Sequence, residues 1–90
     1  MSDPSLYDNV ARGRYELIAD GQVAAYAYYT AKPDSVTFTH TEVLAGHEGK
    51  GYGSKLARLA LRDVRTQGKR VITRCEFIAG YLKKHPEESA

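Results

Sequence analysis

The chain has 90 residues, of which 42% are hydrophobic and 27% charged, and its formal net charge is +2. This length is enough for one domain, and the composition is that of a globular protein. Two features argue against a nucleic-acid partner: the net charge is small, and the basic residues are not interleaved with stacking aromatic rings. A single cysteine, Cys75, excludes an intrachain disulfide.

No membrane or export signal is recognisable in the sequence. No apolar run approaches the roughly 20 residues that span a bilayer. The first residues, Met1 to Pro4, lack a basic region followed by an apolar stretch. We therefore expect a cytoplasmic protein with no membrane partner. We also expect it to be a monomer or a weak homodimer.

The first half of the chain predicts an antiparallel meander. Residues 1–11 are polar and aperiodic and predict a loose N-terminal arm or a short edge segment. The Asp20-Gly21 pair is a strong hairpin signal, and Lys32 to Ser35 has turn composition. The three strands around these turns are predicted over Arg14–Ala19, Gln22–Thr30 and Val36–Leu44. Simple alternation places Val36, Phe38, His40 and Glu42 on one face of the third strand.

The second half predicts a helix, a strand and a short helix. Apolar residues at helical spacing run from about Ser54 to Gln67, and Gly68 follows where a helix commonly ends. The fourth strand, Lys69–Cys75, is expected to lie parallel to the third, because a helix intervenes. The last helix covers Phe77–Lys84 and ends near Pro86. The predicted fold is α/β (α+β): a mixed sheet with two helices in one domain.

The glycine-rich segment between the third strand and the first helix is the clearest functional signal. Gly46, Gly49, Gly51 and Gly53 lie within eight residues. The first turn of a helix presents unpaired backbone N–H groups and the positive end of the dipole, and glycines allow a ligand to approach closely. The segment does not match a P-loop, a dinucleotide fingerprint or a hydrolase elbow. The free N–H groups, the helix dipole and the glycines fit a diphosphate, and the segment therefore predicts a diphosphate site.

The sequence Glu48-Gly49-Lys50-Gly51-Tyr52-Gly53 resembles the acyl-CoA-binding loop of the GNAT superfamily of acetyltransferases. The family pattern is Gln/Arg-x-x-Gly-x-Gly/Ala, and Glu48 departs from it at the first position. With His40-Thr41-Glu42-Val43, Cys75-x-Phe77 and Tyr81-x-x-Lys84-His85-Pro86, the chain looks like a compact branch of stand-alone N-acetyltransferase domains. The resemblance covers roughly residues 9–88 and implies a GNAT-like core that binds acetyl-CoA as cosubstrate.

The resemblance also implies the residues that hold acetyl-CoA. The backbone of Val43 and Leu44 would hold the pantetheine arm, and a free N–H of Leu44 would polarise the thioester carbonyl. Lys84 would meet the 3′-phosphate. The remaining cofactor-binding residues form the loop and the helix start: Gly49, Lys50, Gly51, Tyr52, Gly53 and Ser54.

Four side chains are candidates for the chemistry of acetyl transfer. Cys75 either carries the acetyl group, lines the site or is a buried small residue. Tyr81 resembles the tyrosine that protonates the departing thiolate, but it also fits a packing role. Glu42 is the preferred base for the amine proton, and His40 is either a second base or a structural residue.

A metal site is not expected, because His40, His47, His85 and Cys75 lack paired-ligand spacing. The expected acceptor is an amine on a small molecule or a peptide. Two functions remain open from the sequence: an acetyl-CoA-dependent N-acetyltransferase, and a module that binds or senses acetyl-CoA without catalysis.

Overall fold

A computed structural model describes residues 3–88 of the protein. One five-stranded sheet has the order β1-β2-β3-β4-β5, and two α-helices cover one of its faces. The strands are β1 (Ser5–Asn9), β2 (Arg14–Ala19), β3 (Gln22–Ala31), β4 (Ser35–Val43) and β5 (Arg70–Thr73), and the helices are α1 (Tyr52–Thr66) and α2 (Glu76–Lys84). Neither helix combines the length and hydrophobicity needed to cross a bilayer within the described residues.

The first four strands are antiparallel, and β5 pairs parallel to β4, as predicted from the intervening helix. The hairpin at Asp20-Gly21 is confirmed, since both residues have positive φ, 53° and 75°. Of the two alternatives predicted for the N-terminal segment, the described residues form the short edge segment and not the loose arm. Residues 5–9 form β1 at the sheet edge, where Asp8 accepts a hydrogen bond from the hydroxyl of Tyr29 at 2.5 Å. The polar sequence gives only a weak strand signal, because an edge strand buries only part of one face.

The hydrophobic core lies between the sheet and α1. Apolar residues of α1 recur at helical spacing and are fully buried against Leu17, Phe38 and the alanines of β3. The buried α1 residues are Leu56, Ala57, Ala60, Leu61 and Val64. Burying each large side chain stabilises the fold by about 1.5–3 kcal/mol. Gly68, at φ 73°, ends the turn after α1 as predicted, and its N–H donates to Arg65.

A β-bulge at Thr39 changes which face of β4 its residues occupy. Tyr28 pairs with His40, but Tyr29 pairs with Phe38, so Thr39 is an extra residue on β4. The expectation that Phe38, His40 and Glu42 share a face is therefore wrong. Phe38 is buried under α1, whereas the side chains of His40 and Glu42 are 58% and 49% exposed on the opposite face.

Candidate active site at the end of strand β4

A gap in the sheet opens beside the second half of β4. Pairing with β5 extends only from Ser35 to Phe38, and the last bond of this region joins the N–H of Arg74 to the carbonyl of Phe38. Beyond the bulge β4 continues to Val43 without β5 beside it. This part of β4 therefore has backbone groups directed toward β3 on one side and toward the gap on the other.

Leu44 does not offer the free backbone N–H that the family resemblance implied. Its N–H donates to the carbonyl of Ala24 at 2.9 Å, across the β3 side of the strand. Because backbone groups alternate in direction along a strand, the N–H of Val43 points to the opposite side, toward the gap. The physical reason is the register, which a pattern of side chains does not reveal.

The glycine loop joins the end of β4 to the start of α1. Gly51 is the N-cap of α1 with φ 76°, a left-handed conformation that glycine adopts without strain. It supplies no side-chain cap, and the first turn of α1 contains no acidic residue. The first N–H groups of the helix are therefore suited to bind an anion.

A cavity of about 270 Å³ follows this loop. It brings together Val43 and five of the loop residues that the resemblance indicated: Gly49, Gly51, Tyr52, Gly53 and Ser54. The carboxylate of Glu48 also lines it and accepts a hydrogen bond from the N–H of Gly46 at 2.9 Å. Lys50, which is also part of the loop, is exposed and is not among the residues that line the cavity.

Two residues of this cavity, Phe77 and His47, were not among the site residues predicted from the sequence. Phe77 of α2 lies on the backbone of Gly53, where a Cβ would come within 2.6 Å of the ring. The ring centroid of His47 lies 6.0 Å from that of Tyr52. Its Nδ1 is buried without a hydrogen-bond partner among the described residues. The sequence shows that Gly53 has no side chain. It does not show that the ring of Phe77, from a helix later in the chain, occupies the space.

Cys75 lies on the helix side of the gap. It is the N-cap of α2 rather than the last residue of β5, which ends at Thr73. Its thiol is buried, and Sγ lies 3.2 Å from the hydroxyl of Thr41. Thr41 reaches this side because the bulge turned it inward. Simple alternation along the strand had placed Thr41 on the face opposite Phe38.

His40 and Glu42 lie on the opposite side of β4 from Cys75. The two side chains contact each other at 3.3 Å. Tyr28 stacks on His40 with ring centroids 6.5 Å apart. Burial, together with the neighbouring carboxylate of Glu42, raises the pKa of the Tyr26 phenol. The structure thus keeps the two candidate bases together but does not bring them into contact with Cys75.

Tyr81 lines cavities between α1 and α2, together with Ser54 and His85. Its ring centroid lies 4.5 Å from that of His85. Burial, assisted by the carboxylate of Glu88, raises the pKa of the Tyr81 phenol against the opposing effect of Arg58 and Arg62. Tyr81 is therefore protonated at neutral pH. Lys84 lines one of these cavities as well.

Comparison with known proteins identifies the family to which this fold belongs. Residues 14–90 match the family model described as GCN5-related N-acetyltransferase. The chain belongs to this family. Among solved structures, this acetyltransferase domain is similar to the crystal structure of a "putative phosphinothricin N-acetyltransferase", with a TM-score of 0.60 and 23% identity. The match covers 83% of the acetyltransferase domain and 52% of the other chain. No protein in the curated collection matches the sequence.

The likeness in structure establishes the fold: the mixed sheet and two helices predicted from the sequence are confirmed. The domain spans about half the length of the solved structure that it resembles. The family model places the domain among the GCN5-related N-acetyltransferases. Its cosubstrate, its acceptor and the roles of single residues are matters for proposal.

Proposed function

We propose that the protein transfers an acetyl group from acetyl-CoA to an amine on a small molecule or a peptide. The observation that carries this proposal is the continuity between the gap beside β4 and the uncapped first turn of α1. Val43, the glycine loop and Ser54 line one cavity. A diphosphate on the loop would leave the pantetheine arm to run along β4, and the absence of acidic residues in the first turn of α1 fits such a ligand.

The N–H of Val43 is the best-placed donor for the thioester oxygen. It is directed toward the gap, since the neighbouring N–H of Leu44 is bonded to Ala24 on the other side. A backbone donor aimed at this oxygen would stabilise the negative charge that develops as the amine attacks the carbonyl carbon. Bound acetyl-CoA supplies the thioester, and the protein supplies orientation and this donor.

The amine would approach from the exposed face of the sheet, where the carboxylate of Glu42 contacts His40. A carboxylate on this face attracts a protonated amine and can then take the proton that the amine must lose. Glu42 is half exposed, so solvent can carry the proton away. Tyr81, which keeps its proton at neutral pH, is proposed as the group that protonates the leaving thiolate.

Direct transfer is favoured over an acetyl-cysteine intermediate. The contact of the Cys75 thiol is with the hydroxyl of Thr41, which is not a base. Both candidate bases lie on the other side of β4, so neither adjoins the thiol. A cysteine nucleophile ordinarily requires a partner that favours the thiolate. We therefore assign Cys75 to the wall of the site.

Substitution of Glu42 tests the proposal. With acetyl-CoA and a panel of amines, release of the CoA thiol is measured for wild type, Glu42→Gln and the control Asp20→Asn. The control removes a carboxylate in a distant hairpin turn that asparagine also fits. We expect the kcat of Glu42→Gln to fall about 100-fold or more, as for loss of a general base, with the melting-temperature rise on adding acetyl-CoA retained.

Other outcomes of this experiment separate the alternatives. Stabilisation by acetyl-CoA without thiol release from any amine would support the non-catalytic binding module instead. Unchanged turnover in Glu42→Gln would reject Glu42 as the base. No stabilisation by millimolar acetyl-CoA would contradict both the enzyme and the binding module.

A further inference from the structure

The gap beside β4 is closed at its inner end by a contact between two side chains. Sγ of Cys75 lies 3.2 Å from Oγ1 of Thr41. Thr41 belongs to β4, and Cys75 belongs to the chain that follows β5, so this contact joins the two sides of the gap. We call the pair the Thr41–Cys75 wall. It exists because the bulge at Thr39 turned Thr41 inward.

The segment that carries Cys75 is fixed by its own hydrogen bonds. The hydroxyl of Thr73 donates to the carbonyl of Cys75 at 2.9 Å and accepts from its N–H at 3.2 Å. One residue earlier, the N–H of Arg74 donates to the carbonyl of Phe38 at 2.8 Å. Cys75 is 6% exposed and packs in the hydrophobic core with Phe38 and Ile78. Because a close-packed interior resists added volume, the wall cannot easily be displaced.

The cavity of the glycine loop stops short of this wall. Val43 lines that cavity, whereas Thr41 and Cys75 are not among its lining residues. Successive residues of a strand advance about 3.3 Å, so Thr41 lies about 6.6 Å beyond Val43 along β4. Side chains two residues apart share a face, so Thr41 and Val43 border the same side of the strand. A ligand that lies along β4 therefore has little space past Val43.

The direction of the donor decides which of its groups meets the wall. A diphosphate on the glycine loop directs the rest of acetyl-CoA back along β4, from Val43 toward the bulge. The acyl group is the far end of that molecule, and its carbonyl oxygen is the atom proposed to accept from the N–H of Val43. The carbon chain of the acyl group is then directed at the wall. We propose that the Thr41–Cys75 wall limits the length of this chain and makes the protein selective for acetyl, an inference that rests on the proposed function.

Calorimetric titration with acetyl-CoA, propionyl-CoA and butyryl-CoA tests the inference without any acceptor. We expect wild type to bind butyryl-CoA about tenfold to a hundredfold more weakly than acetyl-CoA, the range for methylene groups that do not fit a pocket. Propionyl-CoA should lie between the two. Cys75→Ala and Thr41→Ala each remove atoms from the wall. Each should reduce the preference for acetyl-CoA about fivefold or more, because it relieves the cost of overpacking.

Two further variants separate the volume of the wall from other effects. Cys75→Ser keeps a side chain of similar shape, so the preference for acetyl-CoA should be retained. Thr30→Ala makes the same change as Thr41→Ala at an exposed threonine of β3, and it should leave the preference unchanged. Circular dichroism detects a variant that fails to fold, and the other alanine variant of the wall then provides the test.

The outcomes distinguish this inference from the proposed function. Equal affinity of wild type for the three thioesters would overturn the inference and leave the proposed function intact. Retention of the full preference in both alanine variants of the wall would also overturn it. Loss of the preference in Cys75→Ser would assign selectivity to the thiol itself and contradict a limit set by volume. Failure of wild type to bind any of the three thioesters would contradict the proposed function.

Discussion

The carboxylate of Glu48 is the one acidic group that lines the glycine-loop cavity. Its hydrogen bond from the N–H of Gly46 turns it back on its own loop. This bond explains how the loop tolerates an acid where the family pattern has Gln or Arg. The negative charge still lies beside the place proposed for a diphosphate, and repulsion between like charges remains.

Replacement of Glu48 by glutamine should therefore strengthen binding of acetyl-CoA. Glutamine keeps an oxygen that can accept from Gly46 and removes the charge. At an exposed position the gain should be about 0.5–1 kcal/mol, which is a two- to fivefold lower Kd. Calorimetric titration of both proteins with acetyl-CoA, at low and at high salt, measures this change in Kd. A gain that persists undiminished at high salt would argue against an electrostatic cause.

At the scale of elements, the carboxylate of Glu88 links the C-terminal turn to α1. Glu88 ends a short 3-10 helix and has a side chain only 6% exposed. It bonds to the guanidinium groups of Arg62 and Arg65. The bonds from these arginines, chiefly that from Arg62, hold the pKa of Glu88 below its ordinary value of 4.5.

A carboxyl group with a lowered pKa in the folded state stabilises the fold when it is ionised. The contribution of Glu88 is therefore present above about pH 4.5 and is lost as the pH falls through its lowered pKa. Glu88→Gln should lower the melting temperature by about 4–8 °C at pH 7, equivalent to about 1 kcal/mol. The difference from wild type should shrink toward pH 3 in thermal melts. A difference independent of pH would contradict the ionic origin.

At the scale of the whole molecule, patterns of local sequence were sufficient for the order of elements and the parallel pairing of β5. The hairpin at Asp20-Gly21 and the glycine after α1 have local signals, and each was placed correctly. The bulge at Thr39 has no such signal. It depends on how β3 and β4 fit together, and it decided the faces of Thr41, His40 and Glu42.

The candidate site was predictable to the same extent. The loop residues are contiguous in sequence and come together in one cavity. Contacts between distant segments, such as Phe77 on Gly53 and Cys75 with Thr41, depend on packing that the sequence does not encode locally. The cytoplasmic location, the oligomeric state and the roles of Lys50 and Lys84 stay predictions.

The bulge at Thr39 has a consequence for the order of reaction. It makes β4 a wall with Thr41 and Cys75 on one side and Glu42 on the other. If the thioester of the donor lies in the gap beside β4 and the acceptor reaches it from the face of Glu42, both substrates can be bound at once, and neither must leave before the other enters. Initial-rate kinetics should then show a ternary complex, with intersecting double-reciprocal lines as both substrates are varied. Parallel lines, the signature of a ping-pong mechanism, would instead favour an acetylated Cys75.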